Sequence, residues 1–418
     1  MAAKWTFMVY IAGFNNLSPF ASKDLEEMRE VGSTDDVKVA VFVKQLDRDS
    51  AERLIVQRDG QGESPEQLGD VDSGNPQTML DFVRWAAQSA PAERYALVVW
   101  NHGSGWQPDD LEQIYSEVRA ERGDTGVTGR ELGVRASQQI DRSLFSSTVK
   151  EVLALPDAGE RGIASDDGTG HSLDTIELSR VLESAHEGDL GQPFELLGMD
   201  ACLMSTLEVS YEARAHTRNV VGSEELEPGD GWPYSLILGD LVANPDMDGA
   251  ELGRTVVRRY AESYRNDESK WPITQCAVAS DGIDAFSDSL DTLAGALRGF
   301  MRDDELGVFK VQQAQARSAD FTGELYDLRT LCANLRGLGP SGERVEDAAA
   351  KVMEALEPGS YVLAEEHLGP TVEGCGGVTA YLPPPSSRIS RFYGDLSFAK
   401  QHGWDEFLRS YHRAIRGE

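Results

Sequence analysis

The chain has 418 residues, 40% of them apolar, which allows one large core with an appendage or two domains of the usual ~100 to 200 residues. Its 71 acidic side chains outnumber 39 basic ones, for a formal net charge of -32, and the acids are scattered along the whole chain. That field argues against nucleic acid and anionic membrane surfaces as partners, although a salt-adapted or arginine-preferring source would explain the composition equally well.

Residues 1 to 12, "MAAKWTFMVYIA", hold a short apolar run that merges into a first strand over Trp5 to Ala12. Asn15, Ser18 and Pro19 then give turn and helix-start signals, and Ala21, Leu25 and Met28 share one helical face before Gly32. "VKVAVFV" (37 to 43) reads as a second strand, with Arg53 to Arg58 a short hairpin partner. Asn75 and Pro76 open a helix whose Met79, Phe82, Val83 and Ala86 face inward, and Tyr95 to Trp100 follows as a continuous apolar strand. This alternation predicts a parallel sheet covered on both faces.

Residues 107 to 161 break the rhythm, being polar and rich in Arg, Glu, Asp and Gly. A connection of this length is either functional or a surface insertion. The pattern resumes with a helix at Ile176 to Leu182, a strand at "FELLGM" (194 to 199) and a helix at Ser205 to Ala213. From about residue 261 the chain reads as mainly helical, with a late strand "GVTAYLP" and a terminal amphipathic helix "WDEFLRSYHRAI". The expected domains are therefore a core over 1–260 and a C-terminal part over 261–418. No run reaches the ~18 apolar residues of a membrane span, so the chain as written is expected to be cytoplasmic, or secreted if a leader has been removed.

Two strands end on reactive side chains, "LVVW" on Asn101 and His102, and "ELLGM" on Asp200, Ala201 and Cys202. Ligands gather beyond the carboxyl ends of parallel strands, so neighbouring strands would place the imidazole and the thiol on one rim. A histidine lowers the thiol pKa from ~8.5 and supplies the acid for a leaving amine, while the Gly103 N–H is suited to an oxyanion. Each residue also has a structural reading, Cys202 as a small buried hydrophobe, His102 as a satisfied strand-end group and Asn101 as a turn residue. The other cysteines, Cys276, Cys332 and Cys375, lie far apart with no CxxC pair, so their spacing suggests neither a zinc site nor a disulfide framework.

"NHGSGW" and "MDACLMSTLEVSYE", followed by "SEELEPGDGWPY", resemble the motifs of the clostripain-like cysteine peptidases, of the caspase and gingipain clan. "WTFMVYIAGFNNLSPFASKDLEEM", "GIASDDGTGHSLDTIEL" and "FAKQHGWDEFLRSYHR" extend the likeness over most of the chain except residues 107 to 160. The resemblance implies a caspase-like α/β/α sandwich with a mostly parallel sheet and a mainly helical C-terminal part. It also implies a monomeric endopeptidase cutting peptides and proteins after Arg or Lys. His102 and Cys202 match the family's catalytic dyad, and the Gly103 and Cys202 N–H groups would serve as oxyanion donors.

Asp200 and Asp230 match the family's pocket acids, with an N-cap for the following helix as the alternative role of Asp200. Activation by self-cleavage between the His and Cys segments is common in the family, and Arg161 stands where that cut is expected. The competing reading of residues 107 to 161 is a surface insertion. The family also includes calcium-dependent members. "DDGTGHSLDTIE" is the best local calcium candidate, but it lacks EF-hand ligands and the turn glycine, so the sequence does not place a calcium site. The alternative function is a catalytically silent caspase-like binding or regulatory protein.

Overall fold

The structure is a computed structural model that describes residues 2–15, 17–46, 48, 50–101, 163–166, 171–265, 272–390 and 393–417. Among them, thirteen strands are formed. These are β1 (Ala3–Gly13), β2 (Val37–Gln45), β3 (Ala51–Ile55), β4 (Glu66–Gly69), β5 (Ala92–Trp100), β6 (Ile163–Asp166) and β7 (His171–Leu173), then β8 (Leu196–Asp200), β9 (Asn219–Gly222), β10 (Ile273–Ala279), β11 (Leu325–Asp327), β12 (Val362–Leu368) and β13 (Thr379–Tyr381).

Nine of them make one sheet in the order β12-β10-β9-β8-β5-β1-β2-β3-β4. The five inner strands β9, β8, β5, β1 and β2 run parallel, and antiparallel pairs close both edges. The expected α/β fold with a mostly parallel sheet is thus the observed one. β10 and β12 carry the chain beyond residue 260 back into this sheet, whereas the late strand β13 pairs with β11 in a separate ribbon.

Side chains alternate across a strand, so a sheet covered on both faces needs apolar residues at consecutive positions. In β1, Met8, Tyr10 and Ala12 enter one core, and Trp5, Phe7, Val9 and Ile11 enter the other. The helices α1 (Ser18–Val31), α2 (Pro76–Ser89), α3 (Thr175–Ser184), α4 (Leu207–Ala213), α5 (Tyr234–Ala243), α6 (Gly249–Tyr264) and α7 (Ile283–Asp303) follow in chain order. α1, α5 and α6 supply Leu25, Met28, Ile237, Leu241, Leu252 and Val256 to the second core. α2, α3, α4 and α7 cover the opposite face. The result is three layers, helices on sheet on helices. No helix among the described residues is long and apolar enough to cross a membrane.

Close approach beneath the sheet rim depends on one glycine. A Cβ on Gly198, in β8, would stand 2.7 Å from the Trp232 ring and 3.1 Å from Val98. Trp232 is fully buried and has no room to retreat. Gly198→Ala is therefore expected to lower the unfolding free energy by ~1–3 kcal/mol through overpacking. A denaturant melt checks this, and an unchanged midpoint would contradict the packing account.

Candidate active site

The site grows from the pairing of β5 with β8. Trp100 lies opposite Asp200 in parallel register, and the Asn101 N–H continues the ladder to the Asp200 carbonyl at 3.3 Å. Asn101 is buried, and its amide ties the end of β5 to β1, donating to the Ala12 carbonyl at 2.8 Å and accepting from Asn15 at 3.0 Å. His102 and Gly103, the next residues of the chain, lie outside the described residues, as does Arg161.

Cys202 follows β8 by two residues. Its sulfur accepts a hydrogen bond from the Glu227 backbone N–H at 3.3 Å. The next residue, Leu203, has φ of 63°, a left-handed conformation that costs a side chain other than glycine ~1 kcal/mol or more. This sharp turn is held by the Leu203 N–H on the Glu225 carbonyl and the Ser205 N–H on the Ser223 carbonyl. Of the four cysteines Cys202 alone is partly exposed. Cys276, Cys332 and Cys375 are buried, and desolvation pushes each thiol up, away from the reactive thiolate.

Asp200 is buried and turns toward the helix layer, where its carboxylate accepts the Tyr234 hydroxyl at 2.8 Å and the Trp232 N–H at 3.4 Å. Burial pushes its pKa up to about 6 against the hydrogen bonds that hold it down. The N-cap alternative for Asp200 fails, because Thr206 caps α4 by accepting the Val209 N–H. The spacing of Gly231 is part of this arrangement: its φ is 58°, and a Cβ there would press on the Asp200 carboxylate at 3.1 Å. Asp230 sits differently, with its side chain 64% exposed and ion-paired to Lys23 at 2.6 Å.

Two further acids complete the cluster. Glu227 is raised well above its ordinary range by burial and by the Asp200 charge beside it, and its Oε1 accepts from Gln275 at 3.1 Å. Asp24, on α1, accepts the Trp100 indole N–H at 2.6 Å, and burial together with repulsion from Asp200 pushes it up to about 9. Among the described residues, no Lys or Arg forms an ion pair with Asp24, Asp200 or Glu227. Sequence reasoning missed both acids. Asp24 lies three residues after Ala21 on the inward face of α1, a position where a carboxylate breaks the apolar pattern, and that was the available signal.

Of the calcium candidate, residues 167–170 lie outside the described residues, and two of its acids serve the backbone. Asp174 caps α3, accepting the Ile176 and Glu177 N–H groups at 2.8 Å each, and Glu177 accepts the Asp174 N–H in return at 3.1 Å. These two acids form a capping box.

A partly exposed thiol held on a strained turn, at the carboxyl rim of a covered parallel sheet, is the arrangement of a cysteine peptidase. The chain belongs to the clostripain family, whose model matches residues 9–123 and 154–411. Among solved structures it is similar to a secreted C11 cysteine protease from Bacteroides thetaiotaomicron in complex with an irreversible peptide inhibitor. That likeness has a TM-score of 0.60 and 19% identity, and covers 99% of each chain. It is also similar to an inactive zymogen C11 protease from Parabacteroides distasonis, with a TM-score of 0.61 and 18% identity over 96% of this chain and 98% of that one. These likenesses show a shared fold. No curated protein matches the chain.

The Asp24 carboxyl makes stability depend on pH. Its folded pKa of about 9 lies above the ~3.9 of an unfolded aspartate, so the folded state binds more protons between those values and stability falls as pH rises through that window. Asp24→Asn keeps an acceptor for Trp100 and removes the titration. Its melting temperature at pH 8 should exceed that of the parent by ~2 °C or more, with a flatter pH dependence. Parallel melting curves from pH 5 to 9 would contradict this.

Proposed function

We propose that the protein is an endopeptidase that cleaves after basic residues, arginine foremost, through Cys202 and His102. The Cys202 thiolate attacks the scissile carbonyl, and the Gly103 and Cys202 N–H groups receive the oxyanion. His102 gives its proton to the leaving amine and then draws one from the water that hydrolyses the acyl-enzyme. The observation that carries the specificity is the buried Asp200, two residues before the thiol, in a cluster with Asp24 and Glu227 that holds no described ion-pair partner. A guanidinium entering there finds charge-assisted, bidentate partners that suit arginine better than lysine. Asp230 sits at the margin, where its exposure weakens any contribution to binding.

The proposal includes self-cleavage within residues 107–161, with Arg161 the favoured site. β5 and β8 flank that interval and pair directly, so the two fragments would stay associated. The Parabacteroides neighbour, itself an inactive zymogen, makes such activation a natural reading. The active species is taken to be a monomer acting on peptides and proteins. Calcium dependence is an open arm of the assay. Two groups of three ligand-type side chains converge among the described residues, and each includes a thiol or an imidazole, unlike the all-oxygen cage calcium prefers.

Fluorogenic peptides with Arg, Lys or a neutral residue before the scissile bond, assayed with calcium and with chelator, test the reading. Cys202→Ala should abolish turnover while leaving the fold intact and the chain uncut. Asp200→Asn should lower kcat/KM for arginyl peptides by about tenfold or more, with a smaller loss for Asp230→Asn. Wild-type rates in Asp200→Asn would remove the pocket assignment. A folded wild type without any turnover would favour a silent binding protein.

A further inference from the structure

The segment whose Glu227 N–H touches the Cys202 sulfur also carries Glu224. Its carboxylate converges with Asp327 and Cys375, the ligand atoms all lying within 4.8 Å of one another and all three residues being buried. They come from three places: Glu224 just beyond β9, Asp327 at the end of β11, and Cys375 in the loop before β13. Asp327 is firmly oriented, accepting the Thr330 N–H at 2.6 Å and, through its other oxygen, the Gly376 N–H at 2.8 Å. Glu224 is 1% exposed, and neither of its carboxylate oxygens makes a hydrogen bond of ordinary geometry among the described residues, the Asp327 carboxyl and the Gly377 N–H being the polar groups that face it. Two buried carboxyls side by side, one of them without a well-placed donor, must either hold a proton or take up a cation. In its absence, burial and the Asp327 charge push the Glu224 carboxyl well above its ordinary range.

We propose that Glu224, Asp327 and Cys375 form a structural site for a thiophilic divalent cation of the zinc class. One thiolate with two carboxylates suits zinc far better than calcium or magnesium, which take oxygen ligands only. Zinc bonds of ~2.0–2.3 Å bring ligand atoms to ~3.5 Å from each other, so the site closes by a small inward movement of side chains. On binding, the cation displaces the Cys375 thiol proton and any proton held by the two carboxyls. These protons pass to water and no electrons are exchanged.

The bound cation joins three segments around the nucleophile turn. Glu224 sits in the strand-end segment that hydrogen-bonds Cys202 and Leu203. The loop after Cys375 holds the same turn, since Ser205 donates to the Gly377 carbonyl and the Thr379 N–H donates to the Ser205 carbonyl. The site therefore fixes the distal chain against the catalytic turn, and it stands whether or not the enzyme prefers arginine. The other converging group, Asp288, Asp291 and His402, does not compete, because it is partly exposed and His402 is already bonded to Asp291 and Tyr211.

The test uses full-length Cys202→Ala protein, so that the catalytic thiol contributes nothing, titrated with cadmium as a thiolate-reporting probe and with zinc as competitor. The expected result is one cadmium per chain with an ultraviolet thiolate-to-cadmium band, displaced by zinc, and a higher melting temperature. Adding Cys375→Ser should remove the band, and adding the isosteric Glu224→Gln should weaken binding about tenfold or more. Failure of Cys202→Ala to bind either metal, or a band that survives Cys375→Ser, overturns the site. Should Cys375→Ser not fold, undiminished affinity in folded Glu224→Gln overturns it equally.

Discussion

The parallel pairing of β5 with β8 is the constraint on which the rest depends. With Trp100 opposite Asp200 in register, the chain positions that follow on both strands leave the sheet from the same rim. Every partner of the site is then set by what can stand around that rim. α1 brings Asp24 to the Trp100 indole, the segment after β9 brings Glu227 to the Cys202 sulfur, and the start of α5 brings Tyr234 to Asp200. A one-residue slip of β8 would exchange its two faces and send Asp200 into the opposite core.

The second organising fact is a set of sequestered carboxyls with no basic ion-pair partner among the described residues. Carboxylates are ordinarily buried with partners, because desolvation of an isolated charge outweighs any gain from packing. Here Asp24, Asp200 and Glu227 share one region, and burial raises all three pKa values, with repulsion from Asp200 adding to the rise of Asp24 and Glu227. Such an arrangement weakens the resting fold, the trade expected of the proposed pocket if it is built before its basic ligand is present. Glu224 and Asp327 repeat the pattern on the other side of the same short segment, with a thiol added.

Much of this was legible in the sequence, for identifiable reasons. The inner strands are buried on both faces and read as apolar runs, unbroken in "YALVVW" and interrupted only by Lys38 in "VKVAVFV". The helices α1 and α2 were marked by proline at their starts and by periodic apolar faces. β10, "ITQCAVA", was missed because its Thr274 and Gln275 are buried polar residues that break an apolar run. β12, "VLAEEHL", was missed because it is an edge strand, where charged side chains are favoured. At the site, Cys202 and Asp200 stood out by motif. Glu227 did not, since its role comes from a fold-back of 25 residues that brings its N–H to the thiol. Glu224, Asp327 and Cys375 are separated by long stretches of chain and share no spacing rule.

The central claim is that Cys202 is the nucleophile of a pocket built for a basic side chain. Intact-protein and peptide mass spectrometry after treatment with an arginyl halomethyl ketone tests it most directly, with a glutamyl analogue as the control. The account predicts a single covalent adduct on Cys202 with the arginyl reagent, formed slowly or not at all with the glutamyl one. An adduct on another cysteine, or equal labelling by both reagents, would contradict it.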